Sequence, residues 1–438
     1  MKTEQLALSY IDSHLTEIYE YFAKIIGFDT TNYITHGNER ACQEFILHTF
    51  QALGAEVELY SVADLPEIQQ HPDFVAGRGM EGRPNVTIHI PCAEPYRATA
   101  KKIMLSHHTD TMPAGELSQW KSDPFTLTLR DGKAYGLGVS DDKYGAAVSY
   151  AIVKAIQENG LLLKHDLYLT AVSDEEYFGG NGSLLACLKY PCDLYINLDG
   201  CDYETQIAGL GGTCFELNVT CGYETSSAQP VVEALAFSCQ VLKPFGQRRF
   251  AELEANPLYT GSEHAKSAYR VMEFGCGSFG TDVDTGKIRI VVYSTLSRKA
   301  LTAELDQLYR EQIQPYFEAH GMISQGFRQI VRCMEYQETK DPACAYRLSE
   351  IMSALAGRKL QTRGACLSDL DIYLRNGSPN SFNVGLIREF KLEGGAHKPN
   401  EFIDCREFEN LTKALLLFVL EWCEAFTPST FKEDTNHV

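Results

Sequence analysis

A short apolar run that stops in acid constrains this chain more than any other stretch. Leu167-Tyr168-Leu169-Thr170-Ala171-Val172 has the length and composition of a strand. It gives way at once to Ser173-Asp174-Glu175-Glu176 and the turn residues Gly179, Gly180 and Gly182. A strand that ends in carboxylates and then turns on glycine belongs at the carboxyl edge of an α/β sheet, where such folds gather their chemistry. Of two adjacent glutamates, one can hold a cation while the other moves protons beside it. A solvated acidic turn has the same local sequence, so the rest of the chain must decide between them.

That strand is one of a series. Apolar spacing near 3.6 predicts helices over about 4–26 and 38–53, the second stopped by Gly54. Strands are expected at 57–62, 85–90 and 103–105, with a Pro/Gly-containing connection over 63–84. A hairpin follows Asp123-Pro124-Phe125, then the glycine-rich turn Tyr135 to Lys143, an alanine-rich helix over about 144–157 and a strand over 193–198 that ends at Asp199-Gly200. Strands alternating with helices predict an α/β fold with a mostly parallel sheet. From about 209 the texture changes to alternating strands (214–220, 287–293) and helices (230–241, 300–319). It returns to α/β with a helix over 342–356, strands near 380–387 and a helix over 406–425. The expected domains are therefore 1–208 and 331–438, two parts of one α/β domain, interrupted by a smaller α+β domain over 209–330.

Composition narrows the partners. A net charge of -19 argues against nucleic acid or an anionic membrane, both of which need a basic surface. No apolar run approaches the ~20 residues of a membrane span, and the N-terminus has no export signal. The 14 cysteines form no Cys-x-x-Cys pair, so they read as reduced thiols in a cytoplasmic protein.

Several polar residues share the setting of the acidic turn. His108-Thr109-Asp110 follows a strand, and a carboxylate two residues from a ligating imidazole can take its second ring N–H. Asp141 follows a glycine-rich turn, Asp199 ends a strand, and His397 lies in Gly394-Gly395-Ala396-His397-Lys398-Pro399-Asn400-Glu401. Each has a local alternative: Asp141 a helix N-cap, Asp199 an Asx turn, His397 a loop histidine. Taken in order, His108, Asp141, Glu175-Glu176, Asp199 and His397 all fall where a sheet would gather them at one edge. Two histidines with three of the four carboxylates, one glutamate being left to move protons, make a nitrogen and oxygen donor set suited to zinc, less to calcium or magnesium.

At these residues the chain resembles the dinuclear zinc peptidases and deacylases, the family of acetylornithine deacetylase, succinyl-diaminopimelate desuccinylase, carboxypeptidase G, carnosinase and peptidase T. The resemblance runs through Ser106 to Pro113, Trp120 with Asp123-Pro124-Phe125, Gly136 to Gly145, Asp174-Glu175-Glu176, Asp199 and Gly395 to Glu401. It implies a zinc-binding catalytic α/β domain interrupted by a smaller α+β lid that serves dimerisation. It further implies that His108 and Asp199 hold one metal and Glu176 and His397 the other, with Asp141 bridging them. Asp110 would orient His108, and Glu175 would be the general base. The metal so implied is zinc, two per chain, with cobalt or manganese as substitutes. The implied reaction is hydrolysis of an amide bond in a small peptide or N-acyl amino acid by metal-bound hydroxide.

The chain departs from the family in its lid. Where relatives carry a histidine that contacts the substrate oxyanion, Gly222-Tyr223-Glu224-Thr225-Ser226 presents Ser226. A ligand-binding relative with weak or lost hydrolase activity is the alternative this implies; if the chain is an active enzyme, His264 either replaces the missing donor or is an ordinary surface histidine. Retention of Glu175, which a binding protein does not need, favours the enzyme.

Overall fold

The computed structural model describes residues 3–278, 281–387 and 393–428. Its contacts divide the chain into two compact units, Met1–Ile207 with Glu338–Val438, and Ala208–Gln337.

The first unit is built on an eight-stranded sheet in the order Glu56–Tyr60, Asn85–Ile90, Asp166–Val172, Lys102–His108, Leu194–Asn197, Phe382–Val384, Thr205–Gln206, Thr362–Arg363. Its centre is parallel, from Asp166–Val172 through Phe382–Val384. Antiparallel pairing is confined to Glu56–Tyr60 on Asn85–Ile90, Asn85–Ile90 on Asp166–Val172, and Phe382–Val384 on Thr205–Gln206. The sheet is mostly parallel, as the alternation of elements predicts. Successive side chains on a strand face opposite ways, and here both faces are covered, which is why the strands read as continuous apolar runs. Ile103, Leu105, Leu167, Leu169 and Ile196 join a core with the helices Thr3–Ile26, Arg40–Ala52, Tyr144–Glu158, Ala343–Ala356 and Cys405–Trp422. Met104, Tyr168, Val172 and Tyr195 join a second core with the helix Asn181–Lys189 and with Ile372 and Tyr373.

The second unit is an antiparallel sheet backed by helices. Gly211–Cys221 lies at its centre, paired with Thr281–Ser294 on one side and with Met322–Ile323 and Phe327–Gln329 on the other; Tyr269–Ser278 forms the outer edge beside Thr281–Ser294. The helices Gln229–Ala255 and Arg298–Leu308 supply Val231, Leu235, Leu301 and Leu305 to its core with Phe215, Leu217, Ile288 and Ile290. This unit ends at Gln337 rather than at the expected 330, because Gly212 bridges to Met334 and keeps that segment on the sheet.

Candidate metal centre

Three parallel strands deliver polar groups to one edge of the sheet. His108 is the last residue of Lys102–His108, the glutamates follow Asp166–Val172, and Asp199 follows Leu194–Asn197. The register pairs His108 with Val172, so those two strands end level, and pairs Asn197 with Ser106, so the third ends two residues earlier and Asp199 follows two residues beyond it. Asp141 comes from the turn before the helix Tyr144–Glu158, and His397 from the loop ahead of the strand Phe402–Asp404.

Asp141 lies between two imidazoles. Its Oδ1 is 3.1 Å from His108 Nε2 and its Oδ2 is 3.1 Å from His397 Nε2. His397 Nε2 is also 3.1 Å from Glu176 Oε2, while His108 Nε2 is 4.0 Å from Glu175 Oε2. Two sets of donors result, His108 with Glu175 and Asp199, and Asp141 with Glu176 and His397, the atoms of each set within 4.8 Å of one another. His108, Asp141, Glu175, Glu176, Asp199 and His397 all fall in these two sets. Glu175, expected as a base, also stands among the donors of the first set.

Asp110 has a different geometry from the one expected of it. His108 Nδ1 is 2.9 Å from the Asp110 main-chain oxygen and 3.6 Å from its carboxylate, so the carbonyl is the acceptor that orients the ring. The Asp110 carboxylate instead receives the backbone N–H groups of Glu175 at 3.1 Å and Glu176 at 3.0 Å, and the Asn32 amide at 2.8 Å. It fixes the turn that carries both glutamates. Burial alone would raise its pKa, but His108 and Arg83 outweigh burial and hold it below the usual carboxylate range.

The electrostatics call for a cation. Burial, then repulsion by Asp199, pushes Glu175 well above an ordinary glutamate, with His108 opposing. Burial would depress the two histidines, yet both lie well above an ordinary imidazole, His108 through Asp141, Glu175 and Asp110, and His397 through Glu176 and Asp141. The common cause is an excess of carboxylates with only two imidazoles to balance them. Divalent metal supplies that charge and takes carboxylates and neutral imidazoles as ligands, so the residues present fit such ions. The mixed nitrogen and oxygen donors are those of zinc and its neighbours rather than of calcium.

His107 plays no part in this set. It is 1% exposed, and among the described residues neither of its ring nitrogens has a hydrogen-bond partner. A Cβ on Gly145 would come within 2.3 Å of the His107 Cβ, so the helix Tyr144–Glu158 packs its backbone directly on this side chain. Burial, then the charge of His108, pushes the ring down to about 3, leaving it neutral.

Glu401 was passed over in the sequence. Buried at 1% exposure, it accepts the N–H of Gly138 through Oε2 at 2.8 Å, and the N–H of Asp141 through Oε1 at 3.2 Å. The signal was a carboxylate closing the same Gly395–Glu401 stretch that carries His397. In the second unit, Ser226 lies in the loop before Gln229–Ala255, and His264 in the short helix Glu263–Lys266, its ring centroid 6.4 Å from that of Tyr259.

The chain is similar to known proteins in sequence and in fold. Over 444 residues the chain is 23% identical to N-formyl-4-amino-5-aminomethyl-2-methylpyrimidine deformylase of Halalkalibacterium halodurans, covering 95% of this chain and 96% of that protein. Over 147 residues it is 31% identical to succinyl-diaminopimelate desuccinylase of Polynucleobacter necessarius subsp. necessarius, covering 33% of this chain and 34% of that protein. The deformylase aside, the chain spans between 22% and 34% of the length of the first curated relatives it matches. Human carnosine dipeptidase 1 has the same fold, with a TM-score of 0.68 at 14% identity over 96% of this chain and 100% of that one. The family model matches residues 104–421, which take in every donor from His108 to His397, and the chain thereby belongs to peptidase family M20/M25/M40.

Proposed function

We propose that this protein hydrolyses an amide bond in a small peptide or N-acyl amino acid, as a dipeptidase or deacylase that works with two zinc ions. The observation that carries the reading is Asp141, whose two carboxylate oxygens each lie 3.1 Å from a different histidine, the arrangement of a carboxylate shared by two ions. The relatives' names, a desuccinylase, a deformylase and a dipeptidase, support an amide as the bond cleaved. His108 and Asp199 would hold one ion and Glu176 and His397 the other, with cobalt or manganese as workable substitutes.

Zinc held by these residues would supply a Lewis acid for the carbonyl oxygen and would lower the pKa of water. Glu175 receives the proton of the attacking water and passes it to the leaving amine. Its carboxylate is suited to this because burial and the neighbouring Asp199 raise its affinity for a proton. Asp110 keeps the glutamate turn in place through the two N–H groups it accepts. The same reading makes the protein cytoplasmic and a homodimer through the inserted unit.

A panel of N-acetyl amino acids, dipeptides and a phosphate ester, assayed with and without zinc, tests the proposal. Zinc-dependent cleavage of an amide supports it. Binding of dipeptides or N-acyl amino acids with no cleavage would make this the ligand-binding relative that Ser226 suggests. Cleavage of the phosphate ester alone would overturn the amide assignment.

A further inference from the structure

The turn that carries the two glutamates has a backbone its own residues disfavour. Asp174, Tyr177 and Phe178 have φ of 67°, 56° and 59°, in the left-handed region where a Cβ is crowded. Such a turn keeps its shape only when its surroundings over-determine it. Arg78 is the side chain that does most of this. Its Nη2 donates to the Glu176 main-chain oxygen at 2.6 Å, its Nη1 to that of Tyr177 at 3.4 Å, and its Nε to Asp174 Oδ1 at 2.8 Å. One planar guanidinium, 5% exposed, thus grips the peptide groups on both sides of Tyr177 and the side chain that opens the turn.

We infer that Arg78 is a positioning residue for Glu176, and through it for the donor set Asp141, Glu176 and His397; this rests on the two-metal reading. The Glu176 N–H is held by Asp110 at 3.0 Å and its carbonyl by Arg78 at 2.6 Å, with Asn32 Nδ2 a longer second donor at 3.4 Å, so the peptide planes before and after its Cα are both fixed. Its side chain is tied at one end as well, since Oε1 accepts the Met112 N–H at 3.1 Å, leaving Oε2 as the oxygen 3.1 Å from His397. Glu175 depends on Arg78 less directly. Its N–H goes to Asp110 and its carbonyl accepts from Gly179 N–H at 3.0 Å. The two donor sets therefore differ in their reliance on one arginine.

Asp174 does not lose all its partners without Arg78. Arg83 Nη1 donates to it at 2.7 Å and Asn181 Nδ2 at 3.1 Å, so the turn keeps a tether. Arg83 also donates to the Arg78 carbonyl at 3.3 Å, and its other hydrogen bonds among the described residues go to Glu39 and Asp174 rather than to Glu176, which sets Arg78 apart from it.

The test is cobalt binding to the full chain, followed by competition with a chromophoric chelator and by the visible absorption of the bound ion. Wild type should bind two ions. Arg78→Met should weaken one of them by about 10–100-fold, the usual loss when a partner behind a ligand is removed, and change the absorption of that ion alone. Arg78→Lys, which keeps the charge without the fork, should recover part of the loss and remains testable if the methionine variant fails to fold. With His108→Ala as background, Arg78→Lys should weaken the remaining ion; with His397→Ala it should change little. Equal weakening of both ions, or of neither, would overturn the inference, as would a lower melting temperature with unchanged binding. Wild type that binds no metal would instead sink the two-metal reading itself.

Discussion

Glu401 Oε1 accepts the main-chain N–H of Asp141 at 3.2 Å, and the same oxygen takes the N–H and hydroxyl of Ser140 at 2.8 and 2.7 Å. A buried carboxylate thus fixes the backbone of the aspartate that faces both histidines. Burial and then the Asp141 charge push Glu401 up to about 7, and the hydrogen bonds it accepts from Gly138 and Ser140 oppose this. Glu401→Gln trades one acceptor oxygen for an amide group that cannot serve the Gly138 N–H. A buried donor left unpaired costs on the order of 1–3 kcal/mol. Because Asp141 faces both His108 and His397, the variant should bind both ions more weakly and melt earlier. Calorimetric titration with zinc and thermal denaturation check this; two ions held as tightly as in wild type would show that Glu401 does not anchor Asp141.

His107 and His108 are neighbours with opposite fates. His108→Ala should lose metal. His107→Leu replaces a neutral, buried ring without hydrogen-bond partners by an apolar group, a change that is nearly neutral where no partner is orphaned. Elemental analysis should find both ions in His107→Leu and a deficit in His108→Ala. A metal-free His107→Leu would make His107, rather than His108, the ligand.

What was legible in the sequence is what repeats locally or stands at a strand end. The strand expected over 85–90 is Asn85–Ile90, and the helix expected over 144–157 is Tyr144–Glu158, because each carries its apolar period within itself. The strand expected at 103–105 runs Lys102–His108, since Ser106, His107 and His108 are polar yet pair with strands on the sheet. Tyr269–Ser278 was not anticipated: Gly275 and Gly277 interrupt its pattern, and irregular pairing around Met272 and Gly277 breaks the alternation. The connection over 63–84 looked like a linker because it has no period. It holds Arg78 and Arg83, whose importance comes from Asp174 and Glu39, residues far away in the chain. Glu401 was obscure for the same reason, its partners lying at 138–141.

Zinc binding should release protons. In the ion-free protein the carboxylates hold His108 and His397 well above an ordinary imidazole, and burial with Asp199 does the same for Glu175. Imidazoles must be neutral to ligate, so affinity should rise with pH, by about tenfold per unit for each proton displaced. The sign for stability follows. The raised histidines stabilise the ion-free fold below their unfolded pKa of about 6.5, and this contribution is lost as pH climbs through their folded values. The gap in melting temperature between zinc-loaded and zinc-free protein should therefore widen from about pH 6 to about pH 8. A gap that narrows over this range would contradict the assignment of both histidines as ligands.

Glu175 and Glu176 are adjacent, and their environments give them different work. Glu176 Oε2 is 3.1 Å from His397 Nε2, at the distance of two groups sharing an ion, and its other oxygen is held by the Met112 N–H. Glu175 Oε2 is 4.0 Å from His108 Nε2. Its nearness to His108 and Asp199 makes a ligand role the rival of the proton-carrier role. Glutamine keeps the shape of either side chain and removes its capacity to carry a proton. Glu175→Gln should retain both ions while kcat falls by ~10²–10⁴, the range expected when a positioned general base is lost. Glu176→Gln should weaken the ion shared with His397. Metal content and kcat measured on the same preparations separate the cases. Loss of an ion from Glu175→Gln comparable to that from Glu176→Gln would make Glu175 a ligand, and an active Glu175→Gln would move the proton transfer to another residue.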